Sequence, residues 1–304
     1  MDRRDFLRLS IVTGTCLITG LSGRYLRDVT ASEETAIPDL AVVEGGSPSR
    51  ITELAINALG GIRRFISRGD VVVIKPNMAW DRTPEQAANT NPEVVAEVVR
   101  LCLEAGAKKV KVFDRTVNDP RRCYVQSGIM EAAKKLGAEV FYVDERKFKE
   151  IAINGEAIKT WPLYTEVFEA DKVINIPVAK HHSLAKLTMA MKNWMGIMGG
   201  SRRQIHQRLD ESLADLALVI KPALTILDAT RILIRNGPQG GSPEDVRVLN
   251  TVIAGIDQVA VDSFGATLFG MKGDDLGYIR IASRRGLGRS DLSGVRIKKI
   301  KAGI

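Results

Sequence analysis

The sequence predicts an α/β fold: a mostly parallel sheet with helices on both faces and a small hairpin insertion. Three observations carry this expectation. From about residue 40, short β-branched runs alternate with stretches of helical spacing. The strand-like runs stay apolar until their C-terminal ends and then deliver a polar residue. Around Asn154-Gly155 the chain alternates on both sides of a hairpin turn signal.

The elements follow in order. Asp70–Pro76 (D-V-V-V-I-K-P) reads as a buried strand. Asn91-Pro92 supplies an N-cap and a proline at the first helical position. Val94, Val98, Leu101 and Ala105 continue at helical spacing, and Gly106 stops the helix. Lys109–Asp114 is the next strand, Ser127–Leu136 a helix and Ala138–Asp144 a strand; Glu150–Ile158 is the hairpin. Asp171–Pro177 and Pro222–Asp228 are strands with a helix-rich segment between them. Val248–Asp257 is a strand, Val259–Phe269 and Leu276–Arg285 are helices, and Val295–Ile300 closes the chain as a strand. The Gly/Pro-rich stretch Asn236–Pro243 is the longest loop, the kind of segment that tends to carry function.

At 304 residues the chain holds one large domain or two modest ones. The 45% hydrophobic and 26% charged residues exclude wholesale disorder, a collagen and a polytopic membrane protein. A single α/β domain is expected over residues 40–304, with sub-lobes at about 40–150 and 160–304. The net charge of +8 is confined to the ends: residues 1–27 carry +3 and residues 280–304 carry +7, leaving the body at −2. No nucleic-acid-binding motif accompanies it, so no nucleic-acid partner is expected.

Residues 1–31 read as an address. Arg3-Arg4, then Phe6-Leu7 and Arg8, fit a twin-arginine export signal. Leu9–Leu21 is a weak apolar run, too short to span a bilayer, and Val29-Thr30-Ala31 suits cleavage. An exported, periplasmic or cell-envelope location follows as an expectation. The translocation machinery would be a partner, and any membrane association would run through this segment. With no C-x-x-C, the chain is not expected to hold an iron–sulfur cluster by itself.

Strand C-termini in an open parallel sheet share one edge, and ligands bind in the crevice outside it. Lys75 and Asn77, Asp114 and Arg115, Asn175 followed by Lys180, His181 and His182, then Asp228 and Asp257 all fall at such ends. Any single one of them also suits a cap or a turn. In Val178–Gly200, Ser183 offers an N-cap, and Leu184, Leu187, Met191 and Met195 form one apolar helical face. That arrangement would put Lys180 and a histidine at a helix N-terminus, with Lys192-Asn193 near its end.

I-K-P-N at Ile74–Asn77, V-F-D-R at Val112–Arg115 and S-G-I at Ser127–Ile129 resemble the family called domain of unknown function 362. So do I-P-V-A-K-H-H-S with K-N-W-M-G, I-L-D-A at Ile226–Ala229 and D-Q-V-A-V-D at Asp257–Asp262. The resemblance implies an α/β fold. Many members carry a ferredoxin-like cysteine extension, which this chain lacks.

Two functions are expected from these residues. In the first, a small anionic or oxygen-rich ligand binds at the crevice, with Lys75, Asn77, Arg115, Lys192 and Asn193 as binding groups. His182, Lys180 and Asp228 would be catalytic. A divalent metal would be held by His182, Asp114, Asp228 and Asp262. In the second, the protein is a non-catalytic accessory or a redox-associated partner. It would dock through basic residues such as Arg284, Arg285, Lys298 and Lys299.

Overall fold

The computed structural model describes residues 36–303, of which Ile37 onward belongs to one compact unit. The export signal expected over residues 1–31 lies outside the described residues. In chain order the strands are β1 (Leu40–Glu44), β2 (Val71–Pro76), β3 (Lys109–Val112), β4 (Glu139–Val140), β5 (Phe148–Ala152) and β6 (Thr160–Tyr164). They continue as β7 (Lys172–Ile176), β8 (Val178–His182), β9 (Lys186–Thr188), β10 (Leu224–Leu233), β11 (Val246–Gly255) and β12 (Ile297–Lys301). The helices are α1 (Pro48–Ala58), α2 (Pro92–Glu104), α3 (Pro120–Gln126), α4 (Ile129–Lys135) and α5 (Glu166–Glu169). After them come α6 (Ala190–Asn193), α7 (Leu209–Val219), α8 (Gln258–Thr267) and α9 (Gly277–Arg284).

The main sheet runs β12-β1-β11-β10-β7-β2-β3-β4, with the β8–β9 ribbon attached to β10. Pairings β12/β1, β10/β7, β7/β2, β2/β3 and β3/β4 are parallel, while β11 runs against both its neighbours. The sheet is therefore mixed and mostly parallel, with helices on both faces, as the alternation of elements predicts. Period-two side chains divide the core: Val72 and Ile74 join a cluster with residues of α1, α2 and α4, while Val73 joins one with residues of α7, α8 and α9.

Local chemistry sets the element boundaries. The Asn91 side chain accepts the Glu93 amide at 2.9 Å and Pro92 opens α2, as expected. The hairpin insertion is β5–β6, turned at Asn154, whose φ of 55° is left-handed. The turn is anchored by buried Asp215, which accepts the amides of Glu156, Ala157 and Ile158 at 3.0, 2.7 and 2.8 Å.

Five expectations are corrected. Strand β10 does not end at Asp228 but runs on to Leu233, so Asp228 sits within a strand. Because β11 is antiparallel, Asp257 lies at the opposite edge, where its side chain caps α8 through Val259 and Ala260. The strand expected over Ala138–Asp144 shrinks to two residues, and α3 forms where no helix is expected. Finally, residues 183–189 are not helical. His182 Nδ1 accepts the amides of Leu184 and Ala185 at 3.1 and 3.2 Å, and Lys186 adopts a φ of 61°. These contacts close a tight turn, so β9 folds back on β8 instead. The helical spacing of Leu184 and Leu187 is coincidental, since Leu187 is buried and Leu184 is 66% exposed.

Candidate functional site

The parallel strands β2 and β3, with the β8–β9 ribbon, bring their polar residues to one cavity of about 410 Å³. That size is within the range of small-molecule sites. Asn77, Asp114, Arg115, Lys180, His182, Lys192 and Asn193 line it. Lys75 lies beneath, fully buried, with its Nζ 2.9 Å from Asp114 Oδ1. This pair forms the floor. The ammonium also donates to the Pro76 carbonyl at 2.6 Å and to Asn193 Oδ1 at 3.3 Å. Asp114 Oδ2 accepts the Met78 amide at 2.7 Å, and the Tyr124 hydroxyl accepts the Asp114 amide at 3.0 Å. Burial lowers the Lys75 pKa and Asp114 opposes that shift.

A ladder of side-chain amides crosses the floor. Asn77 Nδ2 donates to Asn193 Oδ1 at 3.2 Å, Asn193 Nδ2 to Asn175 Oδ1 at 2.8 Å, and Asn175 Nδ2 to the Ala190 carbonyl at 3.0 Å. The ladder ties β2 and β7 to α6, and so fixes where Lys192 emerges. Gly196 packs directly against the ion pair. A Cβ on Gly196 would overlap the Asp114 carboxylate and stand 2.7 Å from Lys75 Nζ. Gly196→Ala is expected to cost about 1–3 kcal/mol through overpacking, visible as a lower urea midpoint at unchanged m-value.

The walls are cationic. Lys180, Lys192, Arg115, Arg202 and Arg203 face the cavity, and Asp114 is the single carboxylate among its lining residues. Lys180 Nζ donates to the Ala88 carbonyl and to Asn77 Oδ1 at 3.4 Å, and lies 5.7 Å from the centre of the Trp80 ring. Among the described residues, the one hydrogen-bond partner of Lys192 Nζ is the thioether of Met195, at 3.4 Å. Burial, reinforced by Arg202, pushes Lys192 down to about 8; burial and the nearby Lys192 charge hold Lys180 well below the ordinary lysine range. Arg202 donates to the carbonyls of Arg115 and Thr116 at 3.0 and 2.7 Å, strapping its segment to the β3 loop. Arg115 reaches the Met198 carbonyl at 2.8 Å and stacks on Phe148 of the hairpin insertion, which thereby braces the wall.

His182 is held neutral, its pKa pushed to about 2 by burial and by Lys192 and Lys180. With Nδ1 occupied as an acceptor, its proton sits on Nε2, so the ring can only donate toward a ligand.

Asp228 and Asp262, expected as catalytic or metal-binding carboxylates, are not among the cavity's lining residues. Asp228 accepts the Asn91 amide at 2.7 Å and the Thr230 amide and hydroxyl at 2.9 and 2.7 Å, fastening α2 to β10. Asp262 accepts the Ala190 and Met191 amides at 2.6 and 3.0 Å and supports the first turn of α6. Burial pushes its pKa up to about 7. The structure does not bring His182, Asp114, Asp228 and Asp262 together at this cavity. Among the described residues no group of three His, Cys, Asp or Glu is placed to hold an ion. Asp228→Ala should lower stability by about 1–3 kcal/mol while the folded fraction keeps its anion affinity, as calorimetry at matched active concentration would read.

Sequence reasoning missed Thr188, Arg202, Arg203 and His206, which also line the cavity. The buried Thr188 hydroxyl has no partner among the described residues. The run R-R-Q-I-H after Gly199-Gly200 was the available signal, but it lies in a 3₁₀ stretch, Arg202–Arg208, without apolar periodicity. The expected functional loop contributes Pro238 to the rim, and its Gly237 amide donates to His181 Nδ1 at 3.1 Å.

The family described as Domain of unknown function (DUF362) matches residues 72–267. A thylakoid-associated protein of Synechocystis sp. is 30% identical over 214 residues, covering 68% of this chain and 66% of that protein. The chain thus spans slightly under two thirds of that relative's length. Among solved structures, a structural-genomics target from Thermotoga maritima aligns over 79% of this chain and 60% of its own, at 11% identity and a TM-score of 0.46. The lactate racemase apoprotein of Thermoanaerobacterium thermosaccharolyticum aligns over 71% and 54%, at 11% identity and a TM-score of 0.40. Likenesses this distant say nothing of chemistry.

Proposed function

This chain belongs to the family described as domain of unknown function (DUF362), and we propose that it binds a small, oxygen-rich anion in the cavity above the Lys75–Asp114 pair. One observation carries the reading. Lys180, Lys192 and Arg202 meet at a cavity whose single lining carboxylate is already neutralised by Lys75 from below, while Arg115 pairs with Glu145 at 3.5 Å and Arg203 is exposed. Burying like charges without counter-ions is costly, and the lowered lysine pKa values are the form that cost takes. An anion supplies the missing charge. The unpartnered Thr188 hydroxyl and the Nε2–H of His182 add oriented hydrogen-bonding groups to it.

The rim adds an apolar component. Leu184 and Val117 line the cavity and are 66% and 54% exposed. A ligand with an anionic head and an apolar body would cover both. The thylakoid-associated relative makes a place at or near a membrane part of the proposal. Among the described residues no helix is long and apolar enough to cross one. Export through Arg3-Arg4 is proposed with it, tested by fusing residues 1–31 to a reporter and replacing both arginines by lysine; undiminished export of the Lys-Lys form would contradict it.

The docking alternative draws less support. Arg285 is engaged with Asp215 at 2.6 Å and with Glu156 at 2.9 Å, so it serves the fold and not an open basic face. Titration calorimetry at low salt, with oxalate, inorganic phosphate and Mg²⁺ as separate probes, tests the proposal. Saturable binding of at least one anion, weakened in Arg202→Met, is expected. Binding of Mg²⁺ alone, or of neither anion, would overturn it.

A further inference from the structure

We propose that Lys192 is a covalent nucleophile, whose amine forms an imine with the carbonyl carbon of an oxo-acid seated in the cavity. This rests on the anion-binding reading and gives it a ligand class: a carboxylate bearing an adjacent aldehyde or ketone.

The lysines around the site differ in how far their amines are committed. Lys75 Nζ has three partners, one of them a carboxylate. Lys180 Nζ is spent on a carbonyl, an amide oxygen and the Trp80 face. Among the described residues Lys192 Nζ hydrogen-bonds to a sulfur alone, a weak acceptor that leaves the nitrogen lone pair free. Its backbone is nonetheless held firmly. Asp262 takes the two amides that begin α6, Asn193 is locked in the amide ladder, and the Trp194 indole donates to Gln258 at 2.7 Å. A fixed stem, a free head and a lining position are what a nucleophilic amine requires.

The surroundings suit the electrophile. Arg202 and Arg203 line the same cavity and would neutralise the carboxylate, while the His182 Nε2–H would polarise the carbonyl oxygen. Burial and the neighbouring Arg202 charge depress the Lys192 amine, the same pairing of effects that activates imine-forming lysines in general. The step balances without a further reagent. The nitrogen lone pair forms the C–N bond as the carbonyl π bond opens, giving a carbinolamine. Its C–O bond then breaks, and the oxygen leaves as water with the two protons that nitrogen surrenders.

The test incubates the full chain with glyoxylate and sodium cyanoborohydride, then locates the reduced adduct by peptide mass spectrometry. An amine titrating near 8 is free base at neutral pH roughly three-hundredfold more often than an ordinary lysine, so Lys192 should label well ahead of exposed lysines. Oxalate, which fits the anion site but cannot form an imine in this way, should suppress that label. Lys192→Arg should abolish it. Should that variant not fold, oxalate protection of the unaltered chain decides the same question. Labelling confined to surface lysines or to Lys180, with oxalate binding intact by calorimetry, overturns the imine and leaves the anion site standing. Failure of oxalate to bind, together with an unlabelled Lys192, overturns both.

Discussion

Asp114→Ala lowers the unfolding free energy by about 3–5 kcal/mol, the loss expected when one member of a buried ion pair is removed and the other stays. Lys75 and Asp114 have side chains 0% and 1% exposed at a separation of 2.9 Å, so neither charge can turn to water for relief. The variant also strands the Met78 amide, which Asp114 Oδ2 accepts. Lys75→Met should be comparably damaging. The double variant Lys75→Met with Asp114→Leu should recover a large share of the loss, because a buried pair replaced by apolar side chains is often close to neutral. Urea denaturation of the wild type, Lys75→Met, Asp114→Leu and the double variant gives the coupling directly. Additive losses would show that the two side chains do not act as a pair.

Lys192→Met is expected to move binding and stability in opposite directions. Anion affinity should fall by about 2–5 kcal/mol, the usual cost of truncating one partner of a desolvated charge pair. The unliganded protein should instead gain up to about 3 kcal/mol at pH 7, since an amine held near 8 instead of 10.5 carries that penalty when protonated. The sign with pH follows. The folded-state pKa is depressed, so the penalty is fully present below pH 8 and fades between 8 and 10.5. The wild-type chain should therefore gain stability across that window relative to the Met variant. Parallel thermal unfolding from pH 6 to 10 would show the two curves converging. Curves that keep a constant separation would mean that Lys192 is not strained.

How far the site could be foreseen depended on which part of the fold supplied each residue. Lys75, Asn77, Asp114 and Arg115 follow apolar runs that become the parallel strands β2 and β3, and parallel strands deliver their ends to one edge. Lys180 and His182 reach the same place by another route, a strand where a helix start is expected. The backbone amides captured by His182 Nδ1 outweigh the helical spacing of Leu184 and Leu187. Asp228 and Asp262 were misread because a carboxylate at a motif-like position looks the same whether it serves a ligand or a distant amide. Which one it serves depends on long-range packing, here on Asn91 and Ala190. Asp257 was misplaced through strand direction alone, which depends on how β11 pairs with β1 and β10. Arg202, Arg203 and His206 had no periodicity to announce them. Arg202 reaches the cavity because its guanidinium binds the carbonyls of Arg115 and Thr116.

The most direct measurement is proton exchange on anion binding. Oxalate titrated at pH 9, in two buffers of different ionisation enthalpy, reports how many protons the complex takes up. Free Lys192 is largely deprotonated there, and a bound anion raises its affinity for protons, so net uptake of up to about one proton per oxalate is expected, much reduced in Lys192→Met. Binding with no net proton uptake, or uptake unchanged in the Met variant, would contradict an anion site built on unpaired buried lysine.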